Sequence, residues 1–154
     1  MTPLHIAVSA GAERVVCQLV AAGADLGGRT ASGKTPLFVA LFEARGGVAR
    51  LLLAAGADPA ESDGDGTLMH TAVIRGRADA VLMLVGADPN ARTANGDLPL
   101  HIAVRNNQIA VARVLLAGGA DVNAGNADGE TALTLAARGR RGRMAMTLIE
   151  AGAR

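Results

Sequence analysis

The sequence predicts an all-α solenoid of stacked helix-turn-helix pairs, and three observations predict it. Residues suited to starting a helix return at a near-constant step: Thr2, Thr35, Thr67, Leu98 and Thr131 lie 33, 32, 31 and 33 residues apart. A glycine closes each copy, at Gly23, Gly56, Gly86, Gly119 and Gly152. Between opening and closing, apolar residues fall three and four apart, the spacing that gives a helix one buried face. A period of this length marks an array in which each unit buries its apolar face on the next. We read one domain over residues 1–154, with repeats at about 2–34, 35–66, 67–97, 98–130 and 131–154.

The fourth repeat is the clearest. Pro99 suits the first helical turn, where its missing N–H needs no partner. Leu100, Ile102 and Ala103 begin a buried face. Asn107 can take the left-handed conformation that ends a helix. A second helix runs through Ile109, Val111, Val114, Leu115 and Leu116, and Gly119 stops it. The opening motif stands whole as Thr2-Pro3-Leu4-His5-Ile6-Ala7. It persists as Thr35-Pro36-Leu37-Phe38-Val39-Ala40, Thr67-Leu68-Met69-His70-Thr71-Ala72, Leu98-Pro99-Leu100-His101-Ile102-Ala103 and Thr131-Ala132-Leu133-Thr134-Leu135-Ala136. In motif and period the chain resembles the ankyrin repeat over nearly its whole length. The resemblance implies an ankyrin-repeat solenoid whose inter-repeat loops, marked by Gly33, Gly64, Gly66, Gly96 and Gly129, are short β-hairpin fingers. Read from the residues alone, these loops are turns, and little strand is expected in them.

The other repeats depart from the template in specific ways. In repeat one, Ile6, Val8, Val15 and Val16 are apolar where an end layer should be polar. This predicts an end face that associates with a second copy or with a further repeat. In repeat two, Ala44 stands where Gly11 and Gly76 stand. Alanine disfavours positive φ, so the turn is expected to shift to Gly46 or Gly47. Repeat three lacks two residues after Val85, so its second helix should end early or tightly. In repeat five, Arg138, Arg140, Arg141 and Arg143 crowd the turn between helices, with Gly139 and Gly142 placed to relieve Arg140. Those arginines suit a solvated C-terminal cap, with an acidic protein as the next reading.

Composition narrows the function. Half of the 154 residues are hydrophobic, enough for a continuous core, and the net charge of +1 gives no dominant field for nucleic acid or membrane. No aromatics stand beside the basic cluster to stack bases, so nucleic acid is not the expected partner. One cysteine, Cys17, excludes an internal disulfide and suits a reducing compartment. No run of about 20 apolar residues is present to span a bilayer, and the start, Met1-Thr2-Pro3, lacks the basic and apolar regions expected of a signal peptide. A cytoplasmic protein is expected.

No catalytic residue, cofactor site or metal site is predicted. His5, His70 and His101 occupy one motif position in successive layers about 8–10 Å apart, so they cannot converge on one zinc ion. Each is expected to hydrogen-bond the threonine and loop backbone of its own layer. Cys17 has no neighbouring base to activate it. Gly64-Asp65-Gly66 lacks the alternating oxygen ligands of a calcium loop. No phosphate or dinucleotide fingerprint occurs.

The resemblance implies binding of another protein through the concave face of the first helices and through the fingers. The helix-end positions are Phe42 and Glu43, Ile74 and Arg75, Arg105 and Asn106, and Arg138. The finger positions include Lys34, Asp65, Asp97 and Asp128, with Asp63 and Glu130 beside them. Arg75, Arg105 and Arg138 are expected to form a basic row, with the carboxylates forming acidic fingers apart from it. Phe42 is either exposed beside Ile74 or buried by the shifted turn. Two other readings stay open: a regulatory or substrate-targeting region of a larger enzyme or effector, and a scaffold without a natural partner.

Overall fold

The computed structural model describes residues 1–62 and 66–154. Among the described residues the regular structure is helical apart from isolated bridge positions, the antiparallel pair Gly125 and Thr131 among them. The chain divides into two compact units. The first holds α1 (Pro3–Ser9), α2 (Glu13–Ala21), α3 (Pro36–Phe42) and α4 (Gly46–Ala54). The second holds α5 (Leu68–Ile74), α6 (Ala78–Met83), α7 (Pro99–Arg105), α8 (Ile109–Ala117), α9 (Ala132–Arg138) and α10 (Gly142–Glu150). Within the first unit, α1 packs on α3 and α2 on α4. Within the second, α5, α7 and α9 form one layer of neighbours and α6, α8 and α10 the other.

The motif explains how each first helix starts. Thr2, Thr35, Thr67, Leu98 and Thr131 all sit in extended backbone just before the helix. The Thr2, Thr35 and Thr131 hydroxyls accept hydrogen bonds from the third helical N–H, at 3.2–3.4 Å, which satisfies a donor that the helix cannot. His5 returns the favour as Glu or Gln does in a capping box: its Nδ1 accepts from Thr2 N–H at 3.3 Å. His101 Nδ1 accepts likewise from Leu98 N–H at 3.2 Å. With Nδ1 an acceptor, the ring proton lies on Nε2. That proton is donated to the Lys34 carbonyl by His5 (2.9 Å) and to the Ala124 carbonyl by His101 (3.0 Å). His5 and His101 therefore tie their helix starts to the loop leaving their own repeat, and His70 Nδ1 accepts from Thr67 N–H at 3.1 Å. Where Phe38 replaces histidine, the Thr35 hydroxyl donates instead to Glu61 in the next loop.

The core follows from small residues at the contacts. Ala7, Ala40, Ala72, Ala103 and Ala136 close the motif in the five repeats, and all are buried. A methyl group there lets neighbouring helices approach closely, while Leu4, Leu37, Leu68, Leu100 and Leu135 fill the space beside it. On the second helices Val16, Leu52, Leu115 and Leu148 do the same, with Leu84 just past the end of α6.

Two expectations about turns and one about burial differ from the structure. The turn of repeat two does not shift: Ala44 itself takes φ +58°, and Gly46 opens α4. Arg140 likewise takes φ +53°, beside Asn107 at +55°, without help from Gly139 or Gly142. The i→i−5 bonds from Arg45 N to Ala40 O and from Arg141 N to Ala136 O, 3.0 and 2.9 Å, hold these turns against the local preference. In repeat one, Val8 and Val16 are fully buried, so only Ile6 and Val15 remain exposed on that layer. The shortening of repeat three is as expected. Helix α6 has six residues where the other second helices have nine, and Gly86 does not adopt the positive φ of the other closing glycines.

Candidate functional site: helix ends and fingers

The exposed edge of each unit is built from first-helix ends and the loops before them. The fingers are tight turns. Thr30 N–H donates to Lys34 O, Thr93 N–H to Asp97 O and Asn126 N–H to Glu130 O, at 2.9–3.0 Å. Gly33, Gly96 and Gly129 take the left-handed corner of each.

Neighbouring fingers are joined by arginine. The Arg29 guanidinium donates to Gly33 O in its own finger (2.8 Å) and to Ser62 O in the next (3.1 Å). Arg92 donates to Gly96 O (2.9 Å) and to Gly125 O (2.8 Å). One planar cation thus spans two loops in each unit. Sequence reasoning missed this pair, although Arg29-Thr30-Ala31-Ser32-Gly33 and Arg92-Thr93-Ala94-Asn95-Gly96 carry the same spacing. Two further arginines cap first helices from the adjacent repeat: Arg45 donates to Ser9 O at 2.7 Å and Arg141 to Arg105 O at 2.8 Å.

The sequence-predicted residues distribute as follows. In the first unit, Phe42 is half-buried: its ring lies 4.7 Å from that of Phe38, tilted by 56°. Lys34 places its ammonium 5.4 Å from the Phe38 centroid. Glu43 is exposed at the end of α3. In the second unit, Ile74 is 59% exposed as the last residue of α5, with Arg75 exposed beside it. Asn106 and Asp128 are exposed. Asp65, and Asp63 beside it, lie outside the described residues.

The basic row and acidic fingers are not separate zones in the second unit. Arg105 grips Asp97 with both terminal nitrogens, at 2.6 and 2.5 Å. Arg138 pairs with Glu130. Each arginine lies eight residues after its carboxylate, so a finger end and a helix end of one repeat neutralise each other. The Arg105 hydrogen bonds hold the Asp97 carboxyl below the ordinary carboxylate range. Asp97 in turn raises the Arg105 guanidinium. Burial lowers the His101 imidazole, against the opposing pull of its bond to Ala124. At the same place in repeat three stand Gly66 and Ile74, so an apolar side chain replaces the ion pair.

A family model described as ankyrin repeats (3 copies) matches residues 1–63 and 68–154. Ankyrin repeat and SOCS box protein 16 of Mus musculus is 35% identical over 121 residues, covering 71% of this chain and 27% of that protein. Tyrosine-protein kinase HTK16 of Hydra vulgaris is 32% identical, over 68% of this chain and 14% of that protein. Rabankyrin-5 of Homo sapiens is 32% identical, over 76% of this chain and 14% of that protein. The chain thus spans at most about a quarter of the length of these relatives.

Proposed function

The chain belongs to the ankyrin-repeat family, whose repeats are non-catalytic modules for binding other proteins, and from that premise we propose that its helix ends and fingers form the partner surface. The observation that carries this reading is Ile74. A large apolar side chain stands 59% exposed at a helix end where repeats four and five place a closed ion pair. Covering it removes apolar surface from water at about 25 cal/mol per Å2. Phe42, Glu43 and Lys34 supply the corresponding edge of the first unit; Arg75, Arg105, Asn106, Arg138, Asp97 and Asp128 supply it around Ile74. The paired charges are set before a partner arrives, so few side chains need ordering on binding. The test is capture of proteins on immobilised chain, comparing the native sequence with Ile74→Asp. The variant should lose its captured partner while keeping native circular dichroism. Undiminished capture would move the site away from this edge.

A second reading has a specific basis. The chain matches small parts of longer proteins, a kinase among them, which favours a targeting region within a larger protein over an independent scaffold. No catalytic role is proposed for these residues. Exposed Cys17 supports a reducing, cytoplasmic setting. No helix among the described residues is long and apolar enough to cross a membrane. Exposed Ile6 and Val15 support self-association through the first repeat. Light scattering should then show dimers that Ile6→Lys disperses.

A further inference from the structure

Helices α8 and α10 leave an open groove on the side of the second unit away from the fingers. Two cavities of about 580 and 550 Å3 meet there at Ile109, Gly142 and Arg143. The junction is open at Gly142, where an added methyl group would meet nothing within 4 Å. The floor is apolar, from half-buried Ile109 and from Met146, which is 57% exposed. The rim is cationic, from Arg113, Arg140 and Arg143, with Glu150 at one end as the sole carboxylate lining it. Three arginines of this unit are held by carboxylates: Arg77 by Asp79, Arg105 by Asp97, Arg138 by Glu130. Among the described residues, Arg113, Arg140 and Arg143 have no such carboxylate.

We propose that this groove is a second docking site, and that its occupant is an acidic amphipathic helix of a partner protein. Charge complementarity chooses the occupant. Three unneutralised cations around an apolar floor call for carboxylates flanking an apolar stripe, and a helix laid between two helices presents both at once. Nucleic acid fits less well, because both phenylalanines of the chain lie in the first unit and the second carries no Phe, Tyr or Trp to stack a base.

The experiment uses the full chain and a fluorescein-labelled peptide of leucine and glutamate at helical spacing, followed by anisotropy. Binding should weaken at least tenfold in Arg113→Glu with Arg143→Glu. It should weaken similarly in Arg140→Asn with Met146→Ala; Asn tolerates the left-handed backbone at residue 140 at least as well as arginine. Ile74→Asp should leave this affinity unchanged, which separates the groove from the finger edge. Circular dichroism verifies that each variant is folded. No binding of the peptide, or equal binding of an all-glutamate peptide, would overturn the proposal. Displacement of the peptide by a single-stranded oligonucleotide or by phosphatidylserine vesicles at lower concentration would overturn it in favour of those ligands.

Discussion

Ala44 pays a conformational cost that its neighbours avoid. At φ +58° it stands where repeats one and three carry Gly11 and Gly76, both left-handed without strain. Ala44→Gly should raise stability by about 1 kcal/mol in urea unfolding, because relief of the left-handed strain outweighs the extra freedom of the unfolded glycine. An unchanged or lower midpoint would contradict that. His101 gives a second test at this scale. Burial lowers its pKa in the folded chain, so the unfolded chain binds the proton more readily. The associated stability is complete above the unfolded value of about 6.5 and is lost as pH falls from there toward the lower folded value. His101→Phe, the residue found at position 38, should flatten that slope below about pH 6.5 in urea midpoints measured across pH. The histidine's role was legible in the sequence because its position repeats. Ala44 and Arg140 were not, because local preference pointed to nearby glycines while the stacked helices on either side fixed where each turn falls.

Among the elements, α6 is the exception, and its shortness reaches the next repeat. The two residues missing before Gly86 bring Val85 over Gly118, so that a β-carbon at Gly118 would overlap the Val85 side chain. Repeats one, two and five carry Ala22, Ala55 and Ala151 at the position of Gly118. The gap in one repeat and the glycine in the next are thus one adjustment. Backbone strain is not the reason, since Gly118 has φ −84°. Gly118→Ala should therefore destabilise the chain by about 1–3 kcal/mol through overpacking, although alanine is the better helix former. Gly118→Ala with Val85→Ala should recover most of the loss; failure to recover would show that the contact is not the cause. The early end of α6 could be read from the residue count. Its effect on Gly118 could not, since that requires knowing which side chain crosses between layers. The same limit applied to the edge: its positions were legible from the period, whereas the Asp97–Arg105 pairing needed the fold to bring a finger and a helix end together.

At the scale of the molecule, the two units differ in how many neighbours each layer has. The second has three helix pairs, so α7 and α8 are covered on both sides. The first has two, and neither pair is enclosed within it. Repeat arrays need about three units to bury a continuous core. Residues 66–154 made alone should retain helical circular dichroism and unfold cooperatively in urea. Residues 1–62 alone should be far less helical. Equal stability of the two pieces would mean that stacking contributes less than the helix pairs themselves.

Arg29 and Arg92 give the fingers a property that no single turn has. Each loop tip shares a guanidinium with its neighbour, so a load applied to one is carried by both. A molecule that seizes the tip at Gly96 also restrains the backbone at Gly125, through a side chain it never touches. Arg29 serves its two loops with separate nitrogens, so Arg29→Lys would keep the charge yet lose the two-handed reach, and that pair of loops would then answer to a visitor one at a time.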